Sequence, residues 1–189
     1  MNQNDRRVRK TRAALKHALI TLMDTHPINT ITIKMLVHEA DVHRATFYTH
    51  YQDIYDLYTD IETEIINTLK QTITSNDVYN TSDLYQVLID MIHANKQVFC
   101  ALLSDQNEYS FLSKMAPIIE ASYLQFWTQE THQPTATQAM VCLTKYHISG
   151  CISMITLWLK GQLPQTMHKE GLAELLNRIN THFETLELQ

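Results

Sequence analysis

A chain of 189 residues, 44% of them apolar, has room for one ordinary domain or two small ones with a real buried core. A mean hydropathy of −0.23 argues against an integral membrane protein, no apolar stretch reads as long enough to span a bilayer, and the polar, basic start lacks the apolar segment of a secretory signal, so a cytoplasmic protein is expected. The net charge of −5 conceals an asymmetry: residues 1–50 carry eight Lys/Arg against four Asp/Glu, and the remainder seven against sixteen, a basic head on an acidic body.

Three glycines (Gly150, Gly161, Gly171) and four prolines are too few turn residues for a sheet protein of this size, while long stretches carry apolar residues at helical spacing. The chain reads as all-α with about nine helices. The first is predicted over about 5–25, ended by Pro27. Thr32 is placed as the N-cap of a short helix reaching Glu39. Ala40-Asp41-Val42 makes a tight turn into a third helix, His43 to Thr49, and a long fourth begins near Asp53 with Leu57, Ile61, Ile65 and Leu69 at four-residue spacing. A loop from Thr74 to Thr81 precedes a fifth helix capped by Ser82. A short sixth follows around Val98 to Leu103. The seventh, from about Tyr109 to Glu130, is expected to kink or restart at Pro117. The eighth, Ala136 to Lys160, is apolar on nearly every face, and a final amphipathic helix follows the breaker segment Gly161–Pro164. The expected division is a head of residues 1–52 and a body of residues 53–189.

Two short helices joined by a three- to four-residue turn, after a longer helix, make a helix-turn-helix. The second carries Arg44, Thr46, Tyr48 and Thr49 at outward positions, able to donate to base edges or phosphates, with Ala45 small enough for close approach or contact with a thymine methyl. Phe47 and Tyr51 supply its inward face. These residue types point to double-stranded DNA as the partner.

The stretch Ile28 to Leu57 resembles the TetR/AcrR family of transcriptional regulators, with Thr32, Leu36, Ala40, Asp41, Val42, His43, Thr46, Phe47, Tyr48, His50, Tyr51 and Leu57 in register. The resemblance implies that Thr32 caps helix 2 and touches phosphate. It implies further that Arg44, Ala45 and Thr46 face bases and that Tyr48 and His50 bind backbone phosphate; Lys34, His43 and Thr49 complete the candidate DNA-binding set. Three positions depart from the pattern. Asp41 stands for the usual turn glycine, His43 for a Ser/Thr cap, and Ile54 for a phosphate-binding lysine at the start of helix 4. The lysine's contact is therefore lost, or replaced by Lys34 or by Arg6, Arg7, Arg9 and Lys10 of the leading arm.

Reading an inverted repeat takes two heads, so a homodimer is expected. Its interface is assigned to the last two helices: Cys142, Ile148, Ser149, Ile152, Leu175, Leu176, Ile179 and Phe183, with small residues around Gly150 allowing close approach. Family resemblance implies the same four-helix interface. The stretches Asn95–Leu103 and Tyr146–Gln162 further resemble the regulators of dihydroxyacetone kinase operons in Gram-positive bacteria. An effector, small molecule or protein, is expected; for a small molecule the candidates are Phe99, Met115, Tyr123, Trp127, Tyr146, His147, Met154 and Trp158, although such a stripe also builds ordinary core.

Cys100, Cys142 and Cys151 read as small hydrophobes rather than disulfides. His147 and Cys151 stand four apart, as two metal ligands would, but no third ligand lies nearby, so neither metal nor cofactor is expected. No GxSxG, P-loop or HExxH motif is present, and an enzyme is not expected. The expectation is a repressor-type regulator; the alternative is an interaction adaptor that has lost operator binding.

Overall fold

The computed structural model describes residues 3–74, 78–103 and 108–184. Among these it holds nine α-helices, one short 3-10 turn and no strand, so the all-α class stands. The chain divides into two compact units, residues 1–65 and 66–189, and one helix runs through the boundary.

The first unit comprises α1 (Gln3–Met23), the 3-10 turn (Ile28–Thr30), α2 (Ile33–Glu39), α3 (Arg44–Tyr48) and the first part of α4 (Ile54–Thr74). Leu15, Ala18, Leu19 and Met23 form the buried stripe of α1, and Leu36, Phe47 and Leu57 join them in a core from which water is excluded. Burying each such side chain favours folding by roughly 1.5–3 kcal/mol.

The α2–α3 turn follows from how α2 ends. Val42 N–H donates to the Val37 carbonyl at 3.0 Å and Asp41 N–H to the His38 carbonyl at 3.3 Å, the paired bonds of a Schellman cap, with Asp41 left-handed at φ 51°. The aspartate thus holds the geometry that glycine would supply. The same device ends α7, with His132 at φ 56°, and α8, with Gly161 at φ 67°.

The second unit holds the rest of α4, then α5 (Thr81–Ala94), α6 (Lys96–Leu102), α7 (Glu108–Glu130), α8 (Gln138–Leu159) and α9 (Lys169–Glu184). Helix α7 packs on α8, and α5 on α9, around Leu84, Phe99, Phe111, Tyr123, Trp127, Ile148, Leu172 and Leu176. Three expectations need correction. The cap of α5 is Asn80, whose Oδ1 accepts the Asp83 amide at 2.8 Å, and not Ser82. Helix α7 runs on through the exposed Pro117 without restarting. And α8 is, by length and composition alone, apolar enough to cross a bilayer, contrary to the sequence reading. The core helix of a water-soluble protein passes the same test, yet only 33% of the most apolar stretch of α8 is buried within the protomer. Its exposed positions include Val141, Cys142, Tyr146, Ser149 and Gly150.

Candidate nucleic-acid interface

Helix α3 is five residues long and is fixed by one anchor, Phe47, which is fully buried and stacks edge-on against Tyr48 and at a tilt against Tyr51. With Phe47 inward, helical spacing turns Arg44, Ala45, Tyr48 and Thr49 outward, while Thr46 and His50 are half-buried. Exposed His43 occupies the N-cap position in extended geometry; its carbonyl accepts the Thr46 and Phe47 amides, but its imidazole makes no capping bond. At the other end, Thr49 Oγ1 donates to the Thr46 carbonyl at 2.7 Å. Arg44 reaches along the helix to Tyr48, Nη2 donating to the phenol oxygen at 3.1 Å. Thr32 caps α2 as expected from its position, accepting the Met35 amide at 3.3 Å, and Lys34 projects into solvent beside it.

The basic residues of α1 divide into two groups. Arg12 and Lys16 are engaged internally: Arg12 donates from Nε to the Tyr51 phenol at 3.1 Å and from Nη2 to Asp60 at 2.8 Å, and Lys16 pairs with Asp60 at 2.9 Å and with Glu64. Tyr51 adds its own O–H to the same Asp60 oxygen at 2.7 Å. Burial opposes ionisation of Asp60, but the donors Tyr51, Arg12 and Lys16 outweigh it and hold the carboxyl at about 2. Burial, then the hydrogen bond to Asp60, pushes Tyr51 up to about 12. This knot joins α1 to α4 and was not read from the sequence. Arg6, Arg7 and Lys10 stay on the exposed part of α1.

At the start of α4, Ile54 points into the core and is only 6% exposed. Asp53 Oδ1 accepts the Asp56 amide at 2.8 Å, and Asp56 Oδ2 accepts the Gln52 amide at 2.9 Å. The two carboxylates close this helix start upon themselves in the manner of a capping box. The D-x-x-D spacing ahead of an apolar run was the available sequence signal.

In the second unit, Phe99, Met115, Tyr123, Trp127 and His147 are buried, Met154 and Trp158 half-buried, and Tyr146 is 76% exposed. Of these effector candidates, Tyr146, His147 and Met154 line one groove. Phe99 faces Phe111, and Trp158 stacks on His93 beneath Lys96 and donates Nε1–H to the Met167 carbonyl. Tyr123 and His147 do come together, rings 5.5 Å apart, with Tyr85 completing the group and Trp127 against Tyr123. Polar contacts knit them: Tyr85 Oη and His147 Nε2 lie 2.6 Å apart, Tyr123 donates to Asn180 at 2.7 Å, and Asn180 donates to Thr81 at 3.1 Å. Burial pulls His147 down to about 4 and pushes the Cys151 thiol, 3.8 Å from its Nε2, up to about 11. Both are therefore neutral near pH 7. Asn180 and Thr81 escaped the sequence reading because nothing local marks either of them until partners 57 and 99 positions away are known.

Of the residues assigned to a dimer interface, Cys142, Ser149 and Ile179 are exposed, Ile152 and Leu175 half-buried, and Ile148 and Leu176 buried within the protomer; the side chain of Phe183 lies outside the described residues. Between α8 and α9 runs an open groove of about 720 Å³, lined among others by Tyr146, Ser149, Gly150, Met154, Leu176 and Ile179.

A family model described as a transcriptional regulator C-terminal region matches residues 79–182. No curated protein matches the sequence. Among solved structures, a TetR transcriptional regulator from Streptococcus agalactiae 2603V is 24% identical, covering 93% of this chain and 96% of that one with a TM-score of 0.66. The dihydroxyacetone kinase operon activator DhaS is 16% identical over 93% and 95%, TM-score 0.64. An AcrR-type regulator from Aquifex aeolicus VF5 is 18% identical over 89% and 99%, TM-score 0.69. At these identities the solved structures speak for the fold, and the family match covers more than half of the chain. The protein therefore belongs to the TetR/AcrR family of transcriptional regulators.

Proposed function

We propose that the protein binds DNA sequence-specifically as a homodimer on an inverted-repeat operator, acting as a repressor in the cytoplasm that a small molecule or a protein partner releases. The observation that carries this reading is the outward face of α3: Arg44, Ala45, Tyr48 and Thr49 are exposed together while Phe47 anchors the helix from behind. Such a face offers a guanidinium for guanine edges, a small methyl side chain for close approach, and hydroxyls for phosphates. Thr32, Lys34, His43, Thr46 and His50 flank it. In this reading residues 1–52 are the DNA-binding head and residues 53–189 the body that dimerises and senses; no catalytic step is assigned to it.

Dimerisation through α8 and α9 is supported by the low burial of α8 within the protomer and by the groove beside it, where Tyr146, Ser149, Gly150 and Ile179 are open to solvent. The buried Tyr85–Tyr123–His147–Asn180 group is the best place in the body for an effector that exchanges hydrogen bonds, since an intruding ligand would find four polar tips already gathered.

The test is selection of bound sites from a random pool of double-stranded DNA, with the winning duplex titrated at two salt concentrations. An inverted repeat bound by two subunits, weakening steeply with salt, supports the reading. No enrichment, with or without cell extract, favours an interaction adaptor.

A further inference from the structure

The start of α4 and the cleft on the opposite flank of α3 differ sharply in what they offer an anion. At the start of α4 the side chain of Ile54 is turned into the core, and the amides of Gln52 and Asp56 are occupied by the carboxylates of Asp56 and Asp53. A phosphate there would meet two negative charges and amides already engaged, which reverses the attraction that an open helix start exerts. Across the head, α1, α2 and the start of α3 enclose an open cleft of about 700 Å³. Its polar lining is Arg7 and Thr11 from α1, Lys34 and His38 from α2, and Asp41 and His43 from the turn. Thr46 of α3 also lines it, so the cleft is continuous with the face assigned to base contact.

Its two cations are available. Arg12 and Lys16, farther along α1, are engaged by Asp60 and Glu64, whereas among the described residues no carboxylate pairs with Arg7 or Lys34. Two fixed cations, two threonine hydroxyls and two imidazoles line one concave space against a single carboxylate, Asp41. A phosphodiester, an anion with several acceptor lone pairs, suits that set.

We propose that this α1–α2–α3 cleft, with Arg7 and Lys34 as its cationic walls, seats a backbone phosphate of the operator, and that it takes the place of a phosphate contact at the start of α4. The inference rests on the operator-binding reading above. The experiment titrates the intact protein, wild type and the variants Arg7→Gln and Lys34→Gln, with two duplexes of equal length: the selected operator and an unrelated sequence. Both side chains are exposed, so melting should be unaffected. Each variant is expected to weaken binding to both duplexes by the same factor. Each should flatten the slope of log K against log salt by about 0.9, which is about 3.5-fold less loss of affinity between 50 and 200 mM salt. Replacing one operator phosphate by a neutral methylphosphonate should weaken the wild type at a position where Arg7→Gln is indifferent. Slopes equal to wild type in both variants overturn the cleft while leaving the regulator intact. A wild type that selects no duplex overturns the regulator reading itself, and the cleft with it.

Discussion

On the exposed side of α3, Arg44 and Tyr48 stand one turn apart and hold each other: the guanidinium nitrogen lies 3.1 Å from the phenol oxygen and the guanidinium carbon 5.6 Å from the ring centre. The pair restricts a long, flexible side chain before DNA arrives, which lowers the entropy lost on docking. Arg44→Ala is expected to weaken operator binding and to relax preference at the base it contacts by about 1–3 kcal/mol, without changing the dimer. Tyr48→Phe keeps the ring but removes the oxygen that Arg44 uses, and should weaken binding by about 1 kcal/mol. Titration of both variants against the operator and single-base variants checks this. Wild-type affinity in both would sink the docking of α3.

Asp41 supports a separate prediction. Its φ of 51° is costly for any residue with a β-carbon, and its carboxylate is the acid lining the α1–α2–α3 cleft. Asp41→Gly should raise unfolding stability by up to about 1 kcal/mol and tighten binding to any duplex, operator or not. Urea melts and paired titrations read the two effects separately.

The Asp60 knot carries a pH dependence whose sign is fixed. The carboxyl is held at about 2 when folded and returns to about 3.9 when unfolded, so its contribution is complete above pH 4 and is lost as pH falls towards 2. Asp60→Asn should cost about 2 kcal/mol at pH 7 and progressively less below pH 4. Chemical denaturation of both proteins from pH 7 to pH 2 would show the gap closing. A gap independent of pH would mean that the packing of Asp60, not its charge, matters.

His147 acts in the same direction as Asp60, but over a higher pH window. Burial holds it at about 4, whereas the unfolded chain takes up that proton near 6.5. The unfolded state therefore binds more protons between those values, and stability should fall by roughly 3 kcal/mol as pH drops from 7 to 4. His147→Gln should be less stable than wild type at pH 7 yet show a flatter profile over that window. An unchanged slope would remove His147 from the account.

Gly150 offers a way to separate folding from association. It is exposed in mid-helix, and an added β-carbon would meet nothing within 4 Å. Within one protomer a larger side chain is harmless, and Gly150→Ala should even favour the helix by about 1 kcal/mol. Gly150→Leu should therefore fold and yet shift the protein to monomers with reduced operator affinity. Sedimentation at several concentrations is the check; an undisturbed dimer would place the interface elsewhere.

What was legible in the sequence was what neighbours along the chain decide. The buried stripe of α1, Thr32 as a cap and Asp41 as the left-handed turn residue each depend on positions within a few residues of one another. Ser82 was the wrong cap only because Asn80, two residues earlier, also makes the D/N-x-x-D pattern with Asp83. What was not legible depends on distant pairs. Nothing local marks Arg12 as an internal residue and Arg7 as an open one; the difference is Asp60, 48 positions beyond Arg12. Periodicity likewise tells which face of a helix is apolar, not which other helix meets it.

Helix α8 has a consequence that reaches past structure. On the homodimer reading proposed above, a protomer that buries only 33% of its most apolar stretch would draw part of its folding free energy from a second copy. Folding and pairing then draw on one equilibrium, in which each tenfold dilution removes about 1.4 kcal/mol. How well the protein survives heat or proteolysis becomes a function of how much of it the cell holds, and a melting temperature has meaning only beside the concentration at which it was taken.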